Sequence, residues 1–308
     1  MTIPSLKFLG RKMYDEDRCI KFLFKKGIIL KPHECSLCNS SMKYYRKFFV
    51  CDNQQCRKWT SIFRNTFFTR SRLQCSDVML IGYYWLCGAT YTVILNVTGY
   101  ASLTISNYMR YFRDLVIETL NDDDLMIGGD GIVVEIDESK FCKGKDTDGI
   151  WVVGGVERTE KRKCFFVVVD RRDAETIRSI VSKHIKPGSI VATDCWRGYQ
   201  NLEDFDIIHE KVNRSISFVN MNGTHTNTIE GTWRGLKIRI QPRHRGAESI
   251  EKYLLEFIWR RKHENDLWQG LLDALRQRPG GSGGISPDPS HFLGDLVAEP
   301  AKSIQYYH

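Results

Sequence analysis

Three acidic residues have the type and the setting to bind divalent cations together. Asp137 ends the hydrophobic run GIVVEID, Asp194 follows the run SIVAT, and Glu230 lies in the first turn of a predicted helix. Carboxylates that share a cleft repel each other, and a divalent cation removes that cost. Because no His or Cys pattern surrounds these acids, we expect oxygen-bound Mg²⁺ or Mn²⁺. Two such ions about 4 Å apart promote phosphodiester chemistry, so we predict that Asp137, Asp194 and Glu230 are catalytic and hold two ions.

The elements that must position these acids follow each other in an informative order. Residues 130–278 predict the order β-β-β-α-β-α-β-α, which is that of an RNase H-like domain, a mixed α/β (α+β) fold. In this fold the first strand lies beside the fourth, so Asp137 and Asp194 would be neighbours and Glu230 would approach from the last helix. The predicted strands are 131–137, 149–157, 163–170, 189–193 and 206–210, and the predicted helices are 173–184 and 227–239.

Two alternatives to this assignment stay open. Glu135 shares its strand face with Asp137, because side chains alternate along a strand, and could be the ligand in its place. Glu230 could be an ordinary helix-start acid that the helix dipole stabilises.

Four cysteines have the spacing of a metal site. Cys35 and Cys38 form one close pair, and Cys51 and Cys56 form a second, with a hairpin-like stretch between the pairs. Thiolates on two tight turns converge tetrahedrally on Zn²⁺, so we predict one structural zinc ion in a zinc ribbon that the metal stabilises. His33 is an alternative ligand, and four buried free cysteines are the alternative to a metal. The other six cysteines are scattered, and we interpret them as small core residues.

Residues 73–125 predict three helices with the spacing of a helix-turn-helix. The first would have Ser76 as its N-cap, the second would end at Gly99, and the third would begin after Ser102. A recognition helix contacts DNA through its amino-terminal part. The predicted DNA contacts are Thr104, Ser106, Asn107 and Arg110, and the residues expected to face inward are Leu103, Tyr108, Tyr111 and Leu115. An ordinary three-helix packing element is the alternative.

A second set of predicted DNA contacts lies near the acids. Its members are Trp196, Arg197, His225, Asn227, Arg234 and Lys237. Arg234 and Lys237 would bind the phosphates that flank the reacting bond. His225 and Asn227 would contact the scissile phosphate or orient Glu230, and a structural role is the alternative for His225. Trp196 would stack on unpaired bases, and Arg197 would pair with phosphate. Core packing of Trp196 is the alternative. From the helices predicted over residues 249–276, those expected to pack on the sheet are Leu254, Leu255, Ile258 and Trp259, and those expected to be exposed are Arg260, Arg261 and Lys262.

Charge is distributed unevenly along the chain. Residues 1–75 contain 16 Lys/Arg and 5 Asp/Glu, a net of +11 against +8 for the whole chain. A basic amino-terminal part favours a nucleic-acid partner, and a solvated lysine-rich surface is the alternative. There is no run of about 18 apolar residues and no secretory signal, so we expect neither a membrane span nor secretion. We therefore expect the cysteines to be reduced or metal-bound.

Motifs and composition divide the chain into five predicted segments. The run PGGSGG predicts a flexible linker, and the residues after it show no periodicity. The segments are an N-terminal helical segment at 1–32, a zinc ribbon at 33–72, a helix-turn-helix-like DNA-binding domain at 73–125, the catalytic domain at 130–278, and a linker and tail at 279–308.

Three stretches around the acids resemble the DDE transposases of the Merlin group and their bacterial insertion-sequence relatives. They are IDESKF at Asp137, TDCWRGY at Asp194 and HTNTIEGTWRGLK at Glu230, and 35 residues separate the last two acids. The resemblance extends over about residues 33–275. It implies that these three acids carry the metal ions.

The same resemblance implies a cut-and-paste DNA transposase, which binds terminal inverted repeats, cleaves the element ends and joins them to target DNA. Its partners would be the double-stranded DNA of element ends and target, and a homodimer or higher oligomer would hold two ends together. It would act in the nucleus of a eukaryotic host, or otherwise in the cytoplasm or nucleoid. A domesticated, non-catalytic DNA-binding protein and a nuclease of the same fold are the alternatives.

Overall fold

The structure is a computed structural model that describes residues 3–32, 34–141, 149–212 and 227–277. Its helices are α1 (Leu6–Met13), α2 (Glu16–Lys25), α3 (Cys75–Leu86), α4 (Tyr91–Thr98), α5 (Ser102–Ile117), α6 (Asp122–Leu125), α7 (Ala174–His184), α8 (Asn227–Arg239), α9 (Ala247–Lys262) and α10 (Leu267–Gln277). Its strands are β1 (Met42–Tyr45), β2 (Phe48–Cys51), β3 (Trp59–Ser61), β4 (Ile127–Gly128), β5 (Val133–Phe141), β6 (Ile150–Glu157), β7 (Cys164–Val169), β8 (Ile185–Lys186), β9 (Ile190–Asp194) and β10 (Ile208–Val212). Short 3₁₀ helices lie at Arg197–Tyr199, Leu202–Phe205 and Pro242–His244. Within these ranges, no helix has the length and apolar character that crossing a membrane requires.

The central sheet has five strands in the order β10-β9-β5-β6-β7. The pairs β5-β6 and β6-β7 are antiparallel, and β9 and β10 run parallel to β5. The expectation that the first strand lies beside the fourth is therefore confirmed. Helix α7 covers one face of the sheet, and α8 and α9 cover the other. Strand β5 thus lies at the centre of a three-layer arrangement of mixed α/β structure.

Strand β5 is longer than its hydrophobic run predicts. The run suggests an end at Asp137, but β5 continues to Phe141 because β6 pairs with it over that whole stretch. The parallel neighbour β9 ends at Asp194. Asp137 therefore lies inside its strand, near the point where β5 loses one of its two neighbours.

A second core joins α1 and α2, the small sheet β1-β2-β3 and helices α3 to α5. Helix α10 belongs to this core, where Trp268 packs edge-on to Tyr83 of α3 with ring centroids 6.0 Å apart. Arg276 of α10 also donates to the carbonyl of Lys26 at 2.9 Å. After the central sheet, the chain therefore returns to the body in which it began.

Ser76 is not the N-cap of α3, contrary to the sequence-based expectation. The helix begins at Cys75 after Gln74, whose side chain makes no capping hydrogen bond. The backbone N–H and the hydroxyl of Ser76 donate instead to the carboxylate of Glu16, at 3.0 and 3.1 Å. A carboxylate from neighbouring α2 thus satisfies one backbone amide of the first turn and complements the helix dipole.

Helices α4 and α5 follow the predicted helix-turn-helix spacing, with one difference in orientation. Gly99 ends α4 at φ 69°, in the left-handed region that favours glycine. Leu103, expected to face inward, is 71% exposed, and Ile105 is buried in its place. Two residues along a helix correspond to a rotation of roughly 200°, so only one of the two can join Tyr108 in the core. Tyr108 and Leu115 are buried as predicted, and Tyr111 is half-buried.

Helix α9 packs against both cores. Leu254 and Ile258 lie in the sheet core as predicted, whereas Trp259 packs in the helical core against Trp85. Arg260, expected to be exposed, is 5% exposed and donates to the carbonyls of Trp85 and Leu86 at 2.9 Å. Its basic neighbours in the chain suggest that Arg260 is exposed to solvent, but two of its hydrogen-bond acceptors are buried carbonyls of α3.

Glu256 of α9 lies buried between two guanidinium groups. Arg113 of α5 and Arg260 donate to its two oxygens, each at 2.7 Å. Burial raises the pKa of Glu256, but the two positive charges outweigh burial and hold the pKa below its ordinary value. The three side chains therefore form a charge-compensated group between α5 and α9.

We expect Glu256→Gln to lower the free energy of unfolding by about 3–5 kcal/mol, because it leaves two buried guanidinium groups without a counter-charge. Since the folded-state pKa of Glu256 is lowered, this stabilisation is complete above the ordinary Glu pKa and is lost as the pH falls through the folded-state value. Urea unfolding at neutral and acidic pH measures both effects. Asp114→Asn is the control, because the Asp114–Lys252 ion pair, at 2.7 Å, joins the same helices but is partly exposed, and it should cost less than about 1 kcal/mol. Equal losses for the two variants would contradict this account.

Candidate active site and metal centre

Asp137 and Asp194 both follow the paired stretch of the adjacent parallel strands β5 and β9. The register pairs Val133 with Ile190 and Glu135 with Ala192. The pairing ends there, and each acid follows two residues later in its own strand, with Asp194 the last residue of β9. Paired strands lie about 4.8 Å apart, so the two acids leave the paired stretch from neighbouring positions.

Asp137 is held by a tryptophan of α8. The indole Nε1 of Trp233 donates to Oδ2 of Asp137 at 3.2 Å. The ring lies over Gly154, the β6 residue opposite Asp137, where a Cβ would come within 2.6 Å of it. Trp233 is 5% exposed and packs among Phe141 and Phe166. It is therefore a core residue that also positions an acid of the candidate site.

Glu230 lies in the first turn of α8 and is exposed. It precedes Trp233 by three residues, so the two side chains lie on neighbouring positions of one helix surface. The hydrogen bond from Trp233 to Asp137 thus fastens the turn that bears Glu230 to strand β5.

Glu135 anchors the start of α8 and is completely buried. Nε of Arg158 donates to its Oε1 at 2.6 Å, and the backbone N–H of Ile229 donates to its Oε2 at 2.9 Å. Both oxygens are therefore engaged within the fold, which favours Asp137 over Glu135 as the acid that is open to ligands. The sequence had no signal for this role beyond the shared strand face, because both partners are distant in the chain.

A further carboxylate, Glu138, follows Asp137 in β5 and lies on the opposite face of the strand, beside Tyr199. Burial raises its pKa, and the charges of Asp137 and Asp194 raise it further. Its neighbour Tyr199 has a pKa well above its ordinary value because of burial and the charge of Glu138. Among the described residues, Oε1 of Glu138 is a buried atom without a hydrogen-bond partner. Negative charge therefore accumulates at this part of the sheet.

The loop after β9 begins with a local turn. The backbone N–H of Trp196 donates to Oδ1 of Asp194 at 2.9 Å. The ring of Trp196 is half-buried and packs edge-on to Tyr199 at 5.5 Å, so core packing accounts for one side of it. Arg172 lies 5.6 Å from its ring centroid.

Most of the other predicted DNA contacts are open to solvent. Arg197, Asn227, Arg234 and Lys237 are exposed, the last three on α8. On α5, Ser106 is exposed, whereas Thr104, Asn107 and Arg110 are half-buried. Their contact with DNA stays a prediction, and His225 lies outside the described residues, as do His33, Cys142 and the predicted tail.

The four predicted zinc ligands converge. Their sulfur atoms all lie within 4.8 Å of one another, with Cys35 and Cys56 at 3.8 Å and Cys38 and Cys51 at 3.4 Å. Four thiolates at 2.3 Å around a tetrahedral Zn²⁺ would be about 3.8 Å apart, so the residues fit this ion. Hydrogen bonds from Ser40 lower the pKa of Cys38 to about 6, whereas burial raises the pKa of Cys51 to about 12, so the convergence of the four sulfur atoms is what supports a metal site.

Within the described ranges, these four cysteines are the one group of three or more His, Cys, Asp or Glu side chains whose ligand atoms lie close enough together to hold a metal ion. The acids Asp137, Asp194 and Glu230 do not close into such a group. Of the remaining cysteines, Cys87 and Cys195 are exposed, contrary to the interpretation of the scattered cysteines as core residues. Each of these two lies at the end of a helix or strand rather than within it.

Comparisons with known proteins match the central sheet region. The model of the ISXO2-like transposase domain matches residues 126–262. An uncharacterized transposase-like protein of Haemophilus influenzae is 32% identical over 124 residues, which is 40% of this chain and 98% of that protein. A simian T-cell lymphotropic virus intasome in complex with the PP2A regulatory subunit B56 gamma is 14% identical, covers 74% of this chain and 80% of the matched chain, and has a TM-score of 0.32.

Proposed function

The chain belongs to the ISXO2-like family of bacterial insertion-sequence transposases, and we propose that it is a cut-and-paste DNA transposase of the DDE type. It would bind the terminal inverted repeats of its element, cleave the ends and join them to target DNA. The observation that supports this proposal is that Asp137 and Asp194 each follow the paired stretch of β5 and β9 by two residues, and that Trp233 of the helix that bears Glu230 donates to Asp137. The central sheet would be an RNase H-like catalytic domain.

Divalent cations suit the residues at this position. The acids offer only oxygen ligands, and the raised pKa of Glu138 reflects burial together with the charges of Asp137 and Asp194. A bound cation would relieve the repulsion between these charges. We propose that Asp137, Asp194 and Glu230 hold two Mg²⁺ ions, which would activate the attacking oxygen and stabilise the leaving oxygen.

The reaction would consist of two transfers at phosphorus. Water attacks the phosphodiester at the element end and releases a 3′-hydroxyl. That hydroxyl then attacks a phosphodiester of the target in line, so one bond forms as another breaks and no covalent protein–DNA link is needed. Arg234 and Lys237 on α8, with Arg197 and Asn227, would bind the flanking phosphates, because their side chains are exposed.

The amino-terminal half would supply DNA binding. We propose that β1-β2-β3 with its four cysteines is a zinc ribbon and that α3 to α5 form a helix-turn-helix-like unit, with Thr104, Ser106, Asn107 and Arg110 towards DNA. The net charge of +11 over residues 1–75 supports a polyanionic partner. Two element ends must be processed together, so we expect a homodimer or higher oligomer on DNA, in the nucleus of a eukaryotic host or the cytoplasm of a bacterial one.

A strand-transfer assay tests the proposal. A labelled duplex of the element end is incubated with the protein, Mg²⁺ and a supercoiled target plasmid, and the expected product is the labelled end joined to the plasmid. A matched duplex that ends in a 3′-deoxynucleotide should be bound but not joined, because it lacks the attacking hydroxyl. Nicks without joined product would instead identify a nuclease, and specific binding without nicks would identify a non-catalytic DNA-binding protein. Either result overturns the proposal.

A further inference from the structure

The two faces of the small sheet β1-β2-β3 differ in burial. The strand register places Tyr45, Phe48 and Trp59 on one face and Met42 and Phe49 on the other. Met42 and Phe49 are buried in the helical core, at 6% and 2% exposure. The three aromatic side chains of the opposite face are 51%, 40% and 54% exposed. We call Tyr45, Phe48 and Trp59 the aromatic face.

The rings of the aromatic face touch one another. The centroid of Trp59 lies 5.6 Å from that of Phe48 and 6.0 Å from that of Tyr45, in edge-on arrangements. Single exposed apolar residues are common on soluble proteins, but a contiguous apolar surface with a polar rim marks a binding site. We therefore expect a ligand to bind to these three adjoining aromatic rings.

The surroundings of the aromatic face are basic. The guanidinium group of Arg46 lies 5.4 Å from the Tyr45 ring centroid. A groove of about 290 Å³ runs beside edge strand β3, and Trp59, Phe63, Arg64 and Arg70 line it. Residues 34–75 contain eight Lys/Arg and two Asp/Glu, and one of those acids, Asp52, already pairs with Lys43 at 3.1 Å. The charge favours a polyanion over an ordinary protein surface.

We propose that the aromatic face stacks on unpaired bases of a DNA strand whose phosphates are bound by Arg46, Arg64 and Arg70. Each base presents a π surface to an exposed ring, and cations beside the rings follow the backbone. A base pair inside a duplex has both surfaces covered by its neighbours, so the aromatic face selects single strands. The inference rests on the proposed function for the source of the strand, because processing of an element end exposes unpaired bases.

The test compares two single strands of equal length, a thymidine oligonucleotide and its abasic analogue, by fluorescence anisotropy with the full chain. Trp59→Ala should weaken binding of the thymidine strand about tenfold or more, the effect of losing one stacked base. It should leave the abasic strand, which keeps the phosphates, unaffected. Trp59→Phe should retain most of the affinity, and Phe48→Ala should follow Trp59→Ala. Tyr14→Ala is the control, because Tyr14 is 64% exposed but lies outside the small sheet.

Each other outcome has a definite meaning. The proposal would be overturned if the wild type and Trp59→Ala bound the thymidine strand and the abasic strand equally well. It would also be overturned if Trp59→Ala weakened binding of duplex DNA as much as binding of the thymidine strand. If Trp59→Ala changed self-association but not DNA binding, the aromatic face would be a protein interface, and the proposal would be overturned. The zinc content of each variant verifies that the small sheet is intact. Asp194→Asn should bind the thymidine strand normally, so failure of strand transfer and failure of base stacking remain distinguishable.

Discussion

Asp194→Asn should reduce end cleavage and strand transfer by at least about 10³-fold while leaving DNA binding unchanged. The amide is nearly isosteric and keeps an oxygen for the N–H of Trp196, so the turn after β9 should persist. The lost charge removes one side of the proposed cation site, which is worth several kcal/mol of transition-state stabilisation. Each 1.4 kcal/mol corresponds to a factor of about ten in rate. Single-turnover cleavage of a labelled end in Mg²⁺ measures the loss, and anisotropy with the same duplex measures binding.

Asp170→Asn is the matched control for this experiment. Asp170 directly follows edge strand β7, is exposed and lies three strands from β9, so its carboxylate ends a strand of the same sheet without facing Asp137. We expect it to retain wild-type activity. Full activity of Asp194→Asn would remove this acid from the mechanism, and equal losses in both variants would mean that the sheet tolerates neither change.

Cys51→Ser should abolish zinc binding and unfold the small sheet. Structural Zn²⁺ contributes an apparent 10–16 kcal/mol or so at neutral pH, far more than the few contacts of a three-stranded sheet can supply. Cys51 is 4% exposed at the end of β2, beside Cys38. We expect one zinc per wild-type chain and none in the variant, with loss of hydrogen-exchange protection in β1, β2 and β3. A strong chelator should have the same effect on the wild type.

Cys87→Ser serves as the control for the metal centre, because Cys87 is exposed at the end of α3. It should keep both zinc and protection. Retention of zinc and of protection by Cys51→Ser would contradict the assignment of the four cysteines. Part of the helical core should loosen with the small sheet, since Phe49 packs edge-on to Phe24 of α2 at 6.2 Å.

The sequence predicts those features that local pattern determines. The strand order follows from hydrophobic runs separated by turns, and it was sufficient to predict that the strands of Asp137 and Asp194 are adjacent. The spacing of the cysteines correctly predicts that their sulfur atoms converge. Each pair needs only a tight turn, and a hairpin between the two pairs brings the pairs together. Caps such as Gly99 also follow from residue type, since a left-handed helix end favours glycine.

Features that depend on distant partners could not be predicted. Arg260 looks like part of a solvated basic run, but its acceptors lie in α3 and its ion-pair partner is shared with Arg113. In the sequence Glu135 resembles a metal ligand, but its two carboxylate oxygens accept hydrogen bonds from Arg158 and from the backbone N–H of Ile229. The end of β5 depends on how far β6 pairs with it. The side of α5 that is buried depends on the helices that pack around it.

The return of α10 to the amino-terminal body has a consequence for synthesis on the ribosome. Until residues 267–277 have emerged, α3 lacks the partner that Trp268 provides for Tyr83, and Lys26 lacks its bond from Arg276. Apolar residues of the nascent amino-terminal half would therefore stay exposed while the ribosome synthesises the five-stranded sheet. A chain truncated after α9 would therefore be a substrate for chaperones and proteases, even though it contains all three proposed metal-binding acids.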